Sequence, residues 1–159
     1  MHRERIKSRP PIPDTLTSLR DILEHCDIMK NAYKGSLTTD NRKTAIILSS
    51  NSLLEALSSA TEIHVDGTFS VLPRMPHVAQ LYSVHIRYTN TGIGTLFILC
   101  DERSTTMYDA LWDKIIRMVP QLKENVNFIM SDFEMAAVKS LSTKFPRAKI
   151  TGCWFHFNQ

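Results

Sequence analysis

Between residues 14 and 26 apolar side chains recur every three or four positions, at Leu16, Leu19, Ile22, Leu23 and Cys26. That spacing lines one face of a helix. Asp14 stands where an N-cap belongs. Before it, Pro10, Pro11 and Pro13 keep the chain out of regular structure, because proline lacks an amide donor and restricts the residue ahead of it. A polar stretch with Gly35 and Asn41 follows. Ser52 and Glu55 then have the spacing of a capping box and predict a short helix carrying Leu53, Leu54 and Leu57. From residue 62 the period falls to two: Ile63, Val65, Phe69 and Val71 share one face, and His64, Asp66, Thr68 and Ser70 the other. This is the pattern of a half-buried strand. Pro73 and Pro76 mark a turn, and a second strand is expected over about residues 78–88. After a loop at Thr89–Gly92, a third strand at Thr95–Cys100 shows no polar alternation and predicts burial on both faces.

The period then returns to that of helices. Met107, Tyr108, Leu111, Trp112, Ile115, Ile116 and Val119 form the widest apolar stripe in the chain, ending near Pro120. Residues 127–131 predict a short strand. A helix over 134–145 buries Ala137, Val138, Leu141 and Phe145, and a last strand is expected over 148–157. Three antiparallel strands followed by helix, strand, helix, strand is the element order of a ribonuclease-H-like mixed α/β sheet. On this reading residues 1–13 are a basic, proline-rich arm, residues 14–61 a helical leader, and residues 62–159 the α/β domain.

Composition narrows the class. With 159 residues, 43% hydrophobic and 22% charged, the chain suits one ordinary globular domain. No apolar run approaches the ~20 residues of a membrane helix, and no apolar segment follows the basic N-terminus as in a secretory signal. No membrane partner is expected. Three cysteines, Cys26, Cys100 and Cys153, are too few and scattered for a disulfide framework, which points to a reducing intracellular compartment. Arg3, Arg5, Lys7 and Arg9 against Glu4 give the first nine residues the whole chain's net charge of +3. The body is therefore neutral. The arm could touch phosphates or act as a nuclear address; a frayed, solvated terminus is the favoured reading.

Two aspartates are candidates for chemistry. Asp66 lies mid-strand on a polar face, where a charge needs a partner or a metal. Asp132 stands at the end of the fourth strand, and ligands gather at the carboxyl ends of strands in α/β sheets. If the first and fourth strands are neighbours, both carboxylates can serve one spot. Phosphoryl transfer by two metal ions requires such a cluster of hard oxygen ligands. Each residue has a plainer reading: Asp132 as the N-cap of the following helix, and Asp66-Gly67 as turn chemistry. Glu134 fits the role of favouring the helix N-terminus through its dipole. Cys153 and His156 are spaced to share a zinc ion, but no second pair accompanies them; packing in an aromatic core is the alternative. Cys26 and Cys100 read as buried hydrophobes.

Taken together and in order, Asp66-Gly67-Thr68-Phe69, Ser131-Asp132-Phe133-Glu134-Met135-Ala136 and Gly152-Cys153-Trp154-Phe155-His156-Phe157-Asn158-Gln159 resemble the MULE (Mutator-like element) transposase domain, over residues 62–159. The resemblance implies a ribonuclease-H-like core that cuts and joins DNA with a DDE triad and Mg2+ or Mn2+. By motif, Asp66 corresponds to the first acid and Asp132 to the second. Cys153 and His156 correspond to the family's Cys-x-x-His motif, with a role in DNA contact or local structure. The family's third acid is a Glu on a helix well beyond that motif, and this sequence stops three residues after His156. The resemblance therefore implies weak metal binding and no transposition by this polypeptide alone. A domesticated, non-catalytic DNA- or protein-binding module is the alternative. A metal-dependent exonuclease is disfavoured, since those resemble Asp-x-Glu on the first strand and this chain has Asp66-Gly67-Thr68.

Overall fold

The computed structural model describes residues 11–69, 72–132 and 134–153. The basic residues of the arm, Ser70 and Val71, Phe133, and the segment from Trp154 onward with His156 lie outside them. Among the described residues the elements run α1 (Leu16–Glu24), a 3-10 turn (Asp27–Met29), β1 (Tyr33–Thr38), β2 (Thr44–Leu48), α2 (Asn51–Ser58), β3 (Glu62–Thr68), β4 (Gln80–Tyr88), β5 (Thr91–Cys100), α3 (Thr105–Met118), α4 (Gln121–Asn125), β6 (Phe128–Ser131), α5 (Met135–Lys144) and β7 (Lys149–Gly152).

All seven strands join one mixed sheet in the order β1-β2-β5-β4-β3-β6-β7. Pairing is antiparallel from β1 to β3 and parallel through β3, β6 and β7. The change of sense follows from the connections. β3, β4 and β5 are linked directly and return alongside one another, whereas β6 and β7 are each reached through helices, as parallel neighbours must be. The chain is thus mixed α/β, as the alternation of periods predicts.

One face of the sheet carries the main core. Ile47, Ile98, Val84, Val65 and Ile129 pack there against Tyr108, Leu111, Trp112 and Ile115 of α3 and Ala137 and Leu141 of α5. Burying an aliphatic side chain of this kind is worth ~1.5–3 kcal/mol. Trp112 meets Phe145 edge to face, with ring centroids 5.3 Å apart at 88°, a favoured aromatic geometry. On the opposite face Leu16 of α1 packs with Ile46 and Val78 in a smaller cluster, which covers the β1-β2-β5 side.

Several local expectations are corrected. The leader is not wholly helical, because residues 33–48 form β1 and β2 and extend the sheet beyond β5. Thr44–Leu48 is a short run buried almost throughout, and such a run has no alternation to reveal it. Thr15, not Asp14, caps α1: its hydroxyl accepts from the Ser18 N–H, and Ser18 answers in a capping box. Ser50, not Ser52, caps α2 by accepting from the Leu53 N–H at 3.2 Å. In β5, Leu96, Ile98 and Cys100 are buried, but Phe97 on the other face is 38% exposed. β7 is described only to Gly152, so the expected continuation to Phe157 lies outside the described residues.

Candidate functional site

Asp66 belongs to the polar phase of β3. Its neighbours Ile63 and Val65 face the core, so alternation turns its carboxylate to the other face. There Thr68 Oγ1 donates to Asp66 Oδ2 at 3.0 Å. Ser83 of β4 is its register partner, and the Ser83 hydroxyl donates to the Asp66 carbonyl at 3.4 Å. His85 shares this face and is hydrogen-bonded to Ser83 at 3.0 Å. Burial pulls the His85 pKa down from its ordinary value, against an upward pull from Asp66, while His64 adds to the fall.

Asp132 follows β6 directly. Its Oδ1 accepts from the Glu134 N–H at 3.3 Å and from the Ser131 hydroxyl at 3.4 Å. The helix starts at Met135, with Glu134 in the cap position and no side-chain cap. Asp132 therefore spans the loop ahead of α5 and does not cap the helix.

The parallel register decides how these residues relate. Val65 pairs with Ser131, and Ser131 with Gly152. Asp66, still within β3, and Asp132 and Cys153, just past the ends of β6 and β7, are the next residues after that row. The Cys153 N–H donates to the Ser131 carbonyl at 2.8 Å, which continues the row. His156 lies outside the described residues, so the Cys-x-x-His pair is described only at Cys153. Asp66 approaches the end of β3 from the face of His85. Asp132 approaches it from the helix-covered face, where its Oδ2 is 3.4 Å from the place a Cβ on Gly67 would occupy.

Residues unmarked by sequence reasoning complete the surroundings. Gln80, fully buried at the start of β4, donates through Nε2 to the Tyr108 hydroxyl at 2.5 Å. Tyr108 in turn donates to Glu134 Oε2 at 2.7 Å. Burial pushes the Glu134 carboxyl above its ordinary value; the Tyr108 hydrogen bond pulls it back and the charge of Asp132 pushes it further up. Glu134, expected to act on the helix dipole, has a specific side-chain partner in Tyr108. Gln80 Oε1 is buried without a partner. It lies 2.8 Å from the Cβ position of Gly67, so only glycine fits there without displacement. At the rim, the Arg103 guanidinium sits 4.8 Å over the ring of Phe69. No group of three or more His, Cys, Asp or Glu side chains suited to a metal occurs among the described residues.

The model of the MULE transposase domain matches residues 62–159, more than half of the sequence and all of the region holding these acids. The chain belongs to the MULE transposase family. No curated protein and no solved structure matches it. The match gives this MULE domain a transposase-derived character, and it begins at β3, the strand that bears Asp66. The β1–β2 hairpin and α1 thus precede the matched region while sharing its sheet. No helix among the described residues is long and apolar enough to cross a membrane.

Proposed function

We propose that this chain is a DNA-processing domain of transposase descent with a ribonuclease-H-like core. Asp66 and Asp132 are its first two metal-holding acids, and DNA is the partner. The observation that carries this reading is the pairing of Val65 with Ser131, which makes the two aspartates the next residues on adjoining strands. Support for the core comes from the strand order β5-β4-β3-β6-β7, with three antiparallel strands leading into two parallel ones. That is the sheet expected of the fold, here widened by β1 and β2.

The donor chemistry fits a hard divalent cation. Asp132 Oδ2 and the unpartnered, buried Oε1 of Gln80 both border the Cβ position of Gly67, Asp66 comes from the other face of the sheet, and Mg2+ and Mn2+ are oxygen-seeking ions. Asp66 and Asp132 would hold the ion, which supplies activation of a water or 3′-hydroxyl and stabilisation of the leaving oxygen. The chain's own contribution is orientation. Thr68 steadies the Asp66 carboxylate, and the Glu134 N–H steadies that of Asp132. An ion held by these two carboxylates alone would be bound weakly.

The nuclear location and the DNA-contact role of Cys153 and His156 belong to the same proposal. The experiment is a strand-transfer assay on element ends with Mg2+ or Mn2+, run beside Mn2+ binding to the unmodified chain and to Asp66→Asn and Asp132→Asn. The reading expects weak Mn2+ binding that either substitution abolishes. Binding indifferent to both substitutions would sink the assignment of these acids. Strand transfer that survives both substitutions would likewise sink it. The second reading, a non-catalytic DNA-binding module, is favoured by the cation–aromatic pair of Arg103 and Phe69 and expects DNA binding without metal.

A further inference from the structure

Tyr108 lies in the first turn of α3, within its apolar stripe, and is fully buried. A buried phenol needs a partner for its hydroxyl, and this one has two. The direction of both hydrogen bonds is fixed by proton count. Gln80 Nε2 donates to the Tyr108 oxygen, and the single hydroxyl proton then goes to Glu134 Oε2. This run of hydrogen bonds reaches Glu134, whose backbone N–H donates to Asp132 Oδ1. Glu134 is therefore tied at its side chain to the hydrophobic core and at its backbone to the second acid.

We infer that Tyr108 is a positioning residue for Asp132. Through Glu134 it fixes the loop after β6 so that Asp132 Oδ1 is occupied by the amide and Oδ2 is turned toward Gly67. The inference rests on the proposed metal-holding role of Asp132. A hydrogen bond from a neutral donor to a carboxylate inside a protein is among the stronger kinds. Only three residues, 132–134, separate the last residue of β6 from the first of α5. In so short a connection, fixing one end of Glu134 restricts the orientation of its amide, and the amide sets the rotation of the Asp132 carboxylate. Groups beyond the immediate ligands commonly tune metal affinity about 10-fold or more in this way.

The test uses the full chain and three readouts: Mn2+ affinity by electron paramagnetic resonance, backbone hydrogen exchange over residues 131–136, and the unfolding midpoint. In Tyr108→Phe, which keeps the ring, we expect faster exchange in that segment and Mn2+ affinity lower by about 10-fold. Glu134→Ala should match it, and it carries the same expectation if the Tyr108 variant does not fold. Glu134→Gln keeps an oxygen to accept from Tyr108 and should restore both readouts most of the way. A folded Tyr108→Phe with unchanged exchange and unchanged affinity overturns the positioning role while leaving the metal reading intact. Equal losses in Glu134→Gln and Glu134→Ala also overturn it, since charge and not anchoring would then be at work. If the unmodified chain binds no Mn2+, the metal reading falls and this role falls with it.

Discussion

A Cβ placed on Gly67 would stand 2.8 Å from Oε1 of Gln80, closer than such atoms approach in folded proteins. Gln80 cannot swing aside freely, because its Nε2 is held by Tyr108. We predict that Gly67→Ala destabilises the domain by ~1–3 kcal/mol, the usual range for an over-packed interior site. It should also disturb Asp132, whose Oδ2 is the next atom in line at 3.4 Å. Denaturant unfolding of the variant checks this, and a midpoint equal to that of the unmodified chain would show that Gln80 yields without loss.

A second prediction concerns the strands outside the matched region. β2 pairs with β5 along Ala45–Leu48, and Ile46 and Ile47 are fully buried. Deleting residues 1–49 strips a strand from β5 and leaves a long apolar edge, a template for pairing with other chains. The fragment is expected to elute from a sizing column as aggregates, where the full chain elutes as a defined species. A well-behaved fragment with an unchanged circular dichroism spectrum per residue would refute this.

Arg103 and Phe69 make a third. Phe69 is 48% exposed, a large ring on the surface beside the acids, and the charge of Arg103 is felt by Glu134. On the hypothesis that DNA enters along this rim, Arg103→Ala should weaken DNA binding and lower the slope of log affinity against log salt by about 1. Phe69→Ala should weaken single-stranded DNA by ~1–3 kcal/mol through lost stacking with little change in slope. Titrations at several salt concentrations decide it; slopes that coincide for all three proteins move the DNA path elsewhere.

The fourth follows from His85. Its pKa is lowered from 6.5 chiefly by burial, with Asp66 pulling the other way and His64 adding to the fall. The unfolded chain therefore binds this proton more readily than the folded one. Stability from the neutral imidazole is present above about pH 6.5 and is lost as pH falls through the folded value. His85→Gln should flatten the decline in unfolding midpoint between pH 7 and pH 5. Parallel declines in the two proteins would assign the acid sensitivity to other groups.

The sequence revealed most where one period dominated. The stripe of α3 and the alternation along β3 are visible because each element has one face to bury. β1 and β2 escaped notice for the opposite reason: Thr44–Leu48 is buried almost throughout, and β1 mixes polar and apolar residues along Tyr33–Thr38. The caps of α1 and α2 shifted because serines, threonines and an aspartate crowd both helix starts, and local spacing does not choose among them. Asp66 and Asp132 stood out as charges at strand positions. Gln80 and Tyr108 did not, since Tyr108 counts as one more ring in an apolar stripe. Its hydroxyl acquires meaning only when β4 and the loop before α5 arrive from distant parts of the chain.

The arrangement around β3 also orders events in time. On one side β3 pairs with β4, its immediate successor, and β4 with β5; these are hairpin-like contacts between consecutive strands. On the other side it meets β6, which lies beyond β4, β5 and the whole of α3. Contacts so far apart along the chain are slow to form, because a long loop must close first. A chain whose antiparallel strands have formed before β6 docks thus holds Asp66 in place without Asp132 on the adjoining strand. The DNA-directed chemistry proposed for this domain is withheld from incompletely folded chains by topology alone.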